Sequence, residues 1–252
     1  MNRVCGAAVV AALLFAQAVG AAVMPTIGGD LGAQSKYVWR GAVFNPSPVL
    51  WPDVWATWNG ITLTGWTSFN LADNTLYNDP AFKFTDVDVF LEYAHTFGRV
   101  TGTLGYGQYM YPGYGGGFPS TGEAYLKGKA DLKVLQAGVA ANLDLEHVKG
   151  LYISPSLSRS LTIGPVTGTL ALSLGWGTEK HNEYYYAADK AALTDLTGGL
   201  NVAWTPPGCL GKFMTVTANA GYAQLLGVYT EGTKSNVWGG LTFNFFYTPG
   251  SK

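Results

Sequence analysis

Eight charged side chains stand inside stretches that otherwise alternate apolar and polar residues, and the spacing gives seven of them, all but Lys129, the reading of a charge cluster on the inner face. Asp86, Asp88 and Glu92 are separated by even numbers of positions and alternate with Val87, Val89, Leu91 and Tyr93. Glu123 and Lys127 keep the same beat with Tyr125 and Lys129, against Ala124, Leu126 and Gly128. Lys36 and Arg40 occupy one phase, with Tyr37 and Trp39 on the other. In an extended chain, residues two apart lie on one face. Carboxylates and cations gathered on such a face can pair and fix the register of neighbouring segments, or form a polar ring past which a small solute is drawn. The near balance of sign favours pairing, because a ring with strong ion preference carries one sign.

Two other sets invite chemistry. Ser154, Ser156 and Ser158 share a face, and His147 precedes them. A nucleophile would need a base and an orienting group within hydrogen-bond reach. Leu151, Ile153 and Leu157 hold the opposite phase, so the serines read as lining of the polar surface. The histidines are His95, His147 and His181. A metal centre needs three or four converging ligands, and Glu179, His181 and Glu183 supply part of one at most. His181 reads as a solvated loop residue. The glycine run at 115–117 lacks the Lys-Ser/Thr and helix of a phosphate-binding loop. No catalytic residue, metal ligand or cofactor follows from these patterns.

The elements that position these residues are legible from the same beat. Leu170, Leu172, Leu174 and Trp176 alternate with Thr169, Ala171 and Ser173, and Leu241, Phe243, Phe245 and Tyr247 with Thr242 and Asn244. A period of two means β-strands with two unlike faces. The pattern predicts strands over 27–41, 52–58, 61–71, 84–96, 99–111, 121–129, 133–145, 150–160, 165–178, 193–205, 213–228 and 235–247. Asn59-Gly60 is a two-residue hairpin signal. Short connections alternate with longer ones, such as 42–52, 72–83, 112–120 and 179–192; 146–149 is a short exception. Trp39, Trp51, Trp55, Trp58, Trp66, Tyr109, Tyr111, Trp176, Tyr184, Tyr185, Tyr186, Trp204 and Tyr247 lie near strand ends and read as interfacial girdles.

Composition decides what covers the apolar face. Of 252 residues, 48% are hydrophobic and 12% charged, about half the charge of an ordinary soluble domain. Beyond the N-terminus no apolar run approaches the roughly 20 residues of a spanning helix. A secreted β-sandwich and a membrane β-barrel both fit. The small polar second face favours the barrel, with lipid outside and polar packing inside. A net charge of −1 argues against nucleic acid as a partner. Arg3, the apolar stretch from Gly6 to Ala16 and the small residues Ala18, Gly20, Ala21 and Ala22 read as a cleaved secretion signal over 1–22. The barrel then occupies 23–252, with Cys209 as its single cysteine.

Two segments resemble a family of Gram-negative outer-membrane barrels. Ser35-Lys36-Tyr37-Val38-Trp39-Arg40-Gly41 is similar to that family's opening strand, Ser-x-Tyr-x-x-Arg-Gly. Gly122-Glu123-Ala124-Tyr125-Leu126, with Asn142-Leu143-Asp144 and Lys149-Gly150-Leu151-Tyr152, is similar to its Glu-x-Tyr strand and following hairpin. The resemblance implies an outer-membrane, single-chain barrel and no particular substrate. The expectation is therefore an all-β, up-and-down transmembrane barrel of about twelve antiparallel strands. It would sit in a lipid bilayer with lipopolysaccharide and pass small hydrophilic solutes. A closed structural or adhesive barrel with partner-binding outer loops is the alternative, and a lipid-modifying enzyme the third reading.

Overall fold

The computed structural model describes residues 24–113, 117–228 and 234–249. The secretion signal read over 1–22, and Gly115 and Gly116 of the glycine run, lie outside these residues. Twelve antiparallel strands close into a barrel. They are β1 (Thr26–Gln34), β4 (Val49–Trp58), β5 (Ile61–Asn70), β6 (Phe84–Phe97), β7 (Val100–Met110), β8 (Thr121–Asp131), β9 (Gln136–Asp144), β10 (Leu151–Ile163), β11 (Val166–Gly177), β12 (Ala192–Trp204), β13 (Met214–Leu225) and β14 (Ser235–Tyr247). Each pairs with its neighbours in sequence, and β1 pairs with β14, Asp30 opposite Asn244, to complete the cylinder. Two short strands, β2 (Tyr37–Trp39) and β3 (Ala42–Asn45), pair only with each other. Among the described residues one α-helix, α1 (Glu179–Tyr186), interrupts the connection between β11 and β12.

The two faces of the wall differ as the alternation requires. Val54, Leu104, Leu126, Leu157, Leu161, Leu170 and Val237 all point outward and are each more than half exposed. Burying such a side chain is worth about 1.5–3 kcal/mol, so this surface is stable only against hydrocarbon. No described helix is long and apolar enough to cross a membrane; the strands do the crossing. The opposite phase carries Thr, Ser, Asn, Asp, Glu and Gly.

Both described chain ends and the short turns lie at one end of the cylinder. The β4–β5 turn is Asn59-Gly60, with φ of 49° and 82°, the left-handed pair that matches hairpin twist. The longer connections 35–48, 71–83 and 178–191, and the described residues of 111–120, lie at the other end, which the short-turn rule for bacterial barrels places outermost. The brief 145–150 connection is held by Asp144. Its Oδ1 accepts backbone N–H bonds from Glu146, Val148 and Lys149 at 3.1, 2.9 and 3.0 Å. One carboxylate thus organises a turn that needs few residues.

The first strand is shorter than its alternation suggests. It leaves the wall after Gln34, and the next fourteen residues, 35–48, turn into the barrel as the β2–β3 hairpin. Alternation persists through Tyr37-Val38-Trp39, because a hairpin inside the lumen also has two faces. Sequence period cannot separate these two placements.

Candidate functional site: the filled outer half of the lumen

Arg40 and Gly41 form the tip of this hairpin, with φ of 48° and 80°. Glycine tolerates that backbone freely; arginine does so at a cost that its contacts must offset. Those contacts are made on the wall far from its own strand. Arg40 Nη1 and Nη2 donate to Glu123 Oε1 and Oε2 at 2.8 and 2.7 Å, a bidentate clamp onto β8. Tyr109 Oη donates to the same Glu123 at 3.1 Å. The guanidinium lies 4.0 Å from the Trp39 ring centroid and 4.4 Å from that of Tyr152 on β10. Tyr186 Oη, at the end of α1, donates to the Arg40 carbonyl at 2.6 Å. The hairpin therefore spans the lumen and is fixed at its tip.

Its base is fixed by aromatic packing. Tyr37 is buried with Phe44 and Val49, and its ring meets Trp51 and Trp66 at 5.4 and 5.8 Å. Tyr37 Oη donates to Asp86 Oδ2 at 3.0 Å. Trp39 packs on Tyr185 of α1 at 4.9 Å. On the same helix His181 is 1% exposed, between Tyr152 and Tyr185 at 5.2 and 4.8 Å. Burial, followed by the charge of Arg40, lowers its pKa from 6.5 to about 3, so it is a neutral packing residue.

The structure sorts the seven charges into three groups. Arg40 and Glu123 form the buried pair. Lys127 Nζ meets Glu92 Oε1 at 2.9 Å in a half-exposed pair, of the kind that contributes little to stability. Asp86 and Asp88 lie side by side on β6, both buried. Lys36 stands apart at the entry to β2, half-buried, with no described carboxylate in salt-bridge range.

Several expectations need correction. Lys36 and Arg40 lie beyond the end of β1, in the hairpin segment. Among the proposed girdle residues, Trp39, Trp51, Trp55, Trp66, Tyr109, Tyr111, Tyr185 and Tyr186 turn inward; Trp58, Trp204 and Tyr247 face outward. His181 is buried, and it diverges from the exposed Glu179 and Glu183. His147 meets Tyr184 edge-on at 5.4 Å, at the outer end and separate from the inward serines of β10.

Four inward carboxylates escaped the sequence reading. Asp144 holds the turn described above. Asp195 accepts from Tyr152, Thr194 and Thr197 at 3.0, 2.8 and 2.8 Å. Asp30 and Asp53 sit lower on β1 and β4, where the Asp30 N–H donates to Asp53 Oδ1 at 3.0 Å. Their phase matches Gly28 and Gly32, or Trp51 and Trp55. That parity was the available signal, obscured because glycine and tryptophan do not read as a polar face.

No protein-family model matches the chain, and no curated protein does. Solved structures share its architecture. The KdgM porin in complex with disordered oligogalacturonate aligns with a TM-score of 0.55 at 11% identity, over 88% of this chain and 99% of that one. The NanC porin gives 0.54 at 14%, over 87% and 98%. An outer-membrane channel from Pseudomonas putida F1 gives 0.53 at 9%, over 90% and 97%. The chain has the barrel fold of outer-membrane porins. These neighbours are channels rather than enzymes, and at such identities the likeness speaks for fold alone.

Proposed function

We propose that this chain is an outer-membrane channel for small hydrophilic solutes, narrowed by its own first outer loop. The observation that carries the reading is the Arg40–Glu123 clamp, which holds a hairpin across a lumen whose other half is lined by small polar side chains. Lipid on the apolar exterior, with lipopolysaccharide around the outer loops, fits the same geometry. Membership of the Gram-negative barrels that the sequence resembles is part of the proposal. It is supported by the meeting of the two resembling segments, 83 positions apart at Arg40 and Glu123.

One observation favours a closed structural barrel instead. Two buried clusters, around Tyr37, Phe44 and Val49 and around Tyr186, Ala188 and Val228, fill the outer mouth. Planar-bilayer recording separates the readings. The wild type is expected to show stepwise conductance. Replacing residues 36–46 by a short Gly-Ser link is expected to raise it several-fold. A silent wild type beside a conducting deletion variant would establish the closed barrel, and silence from both after verified insertion would end the channel reading.

A further inference from the structure

Charge does not balance in the buried outer half of the lumen. Asp86 is 1% exposed, Asp88 4% and Glu123 1%. The cation beside them is Arg40, and both its terminal nitrogens are committed to Glu123. Three carboxyl groups against one guanidinium leave up to two negative charges in a water-poor setting, where the excess is costly unless a proton or a cation joins it. The side chains of Asp86 and Asp88 lie within reach of each other. Beyond each other, Oδ1 of Asp86 and Oδ1 of Asp88 have no hydrogen-bond partner among the described residues. A third unpartnered oxygen is Ser68 Oγ, on a residue 0% exposed. Ser68 is the register partner of Asp86 across β5 and β6, on the same inner face.

We propose that Asp86, Asp88 and Ser68 form a binding site for a hydrated divalent cation of the size of Ca2+, seated beneath the plug hairpin. A charge of +2 neutralises the cluster. The donors are hard oxygens, which suit Ca2+, and its loose geometry lets water complete a shell that two carboxylates and a hydroxyl leave unfinished. No three Asp, Glu, His or Cys side chains converge among the described residues, so the site is a modest one, dependent on water. Because Tyr37 donates to Asp86 Oδ2 at 3.0 Å, the bound cation would also steady the base of the hairpin. The site does not depend on the barrel conducting.

The test uses Tb3+ as a luminescent stand-in for Ca2+. Trp66 is the register partner of Asp88, and the Trp51 ring lies 5.9 Å from it, so tryptophan excitation should sensitise bound Tb3+. The full barrel, refolded in detergent with chelator and then freed of it, is expected to give saturable emission that Ca2+ displaces. Asp86→Asn and Asp88→Asn should each abolish it, and Ser68→Ala should weaken binding about tenfold. Heat-modified gel mobility reports folding independently, and Ser68→Ala supplies the comparison if the Asn variants fail to fold. Folded wild type with no Ca2+-displaceable emission would overturn the site and leave a proton shared by the two carboxyls as the explanation. Emission unchanged in folded Ser68→Ala would overturn it too.

Discussion

The two halves of the lumen are built from the same strands but held by different forces. In the outer half, side chains are large, buried and tied to elements that do not adjoin their own: Arg40 to Glu123, Tyr37 to Asp86, Tyr152 to Asp195. In the half near the chain ends, contacts are short and local. Hydroxyls pair across adjacent strands, Thr57 with Thr62 and Thr96 with Thr101 at 2.9 Å, Ser160 with Thr169 at 2.8 Å. Many of these groups are exposed, so water can replace either partner. The contrast teaches that the wall needs only backbone pairing to close, whereas obstructing the pore demands a dedicated, charged anchor. The outer half is where one side chain can matter to the whole molecule.

The largest expected effect tests that anchor. Arg40→Ala leaves Glu123 buried without its cation, and breaking a buried pair this way costs about 3–5 kcal/mol. Replacing both partners by apolar residues, Arg40→Met with Glu123→Leu, should recover much of the loss, because no charge is then stranded. Urea unfolding in lipid vesicles measures both. If the double variant is as unstable as Arg40→Ala, the pair is not the source of the effect. If neither is destabilised, the two halves do not differ in the way described.

The same contrast explains what was legible in the sequence. Strands from β5 to β14 follow from alternation almost residue by residue, because lipid on one side and a polar lumen on the other enforce period two throughout. Lipid also makes the outward phase unambiguous, as with Val89 and Leu91 against Asp88 and Glu92. The inward hairpin was illegible because Tyr37, Trp39 and Arg40 keep a strand's period while leaving the wall. The fate of the aromatics was illegible for a related reason: an amphipathic ring suits a headgroup zone and a polar plug equally. Only tertiary placement separates Trp51, which packs on Tyr37, from Trp204, which faces outward. Asp144 and Asp195 were missed because their partners are backbone N–H groups of a turn, nearby threonine hydroxyls and, for Asp195, Tyr152 of β10, none of which marks a two-residue period.

A smaller effect, again in the outer half, should appear with pH. His181 is packed by Tyr152 from β10, by Tyr185 and Tyr186 from its own helix and by the Arg40 charge from the hairpin tip. Its folded pKa of about 3 lies below the ordinary 6.5. Above pH 6.5 both folded and unfolded forms are neutral there, and the full stability is present. Between pH 6.5 and 3 the unfolded chain takes up a proton that the folded one refuses, so stability falls as pH falls. At pH 4.5 the loss is about 2–3 kcal/mol. His181→Gln removes this titration, so its unfolding midpoint should move less between pH 7 and 4.5 than that of the wild type. Equal shifts would mean that His181 is hydrated in solution and that the plug is looser than its packing indicates.

The smallest energetic effect belongs to the other half and defines it. Ser158 lies on the inner phase of β10, next to Gln136 of β9 and Ala171 of β11, and among the described residues no partner across the lumen depends on it. Ser158→Ala should therefore change stability by less than about 0.5 kcal/mol. Near-neutrality alone would also fit a serine facing lipid, so accessibility must be read separately. In a Cys209→Ser background, which removes the exposed native thiol, Ser158→Cys should react readily with a small charged methanethiosulfonate reagent. Ser68→Cys, at a residue 0% exposed beneath the hairpin, should react far more slowly. Comparable rates at the two positions would show water reaching both halves equally, and the division between a wet vestibule and a filled mouth would fail with them.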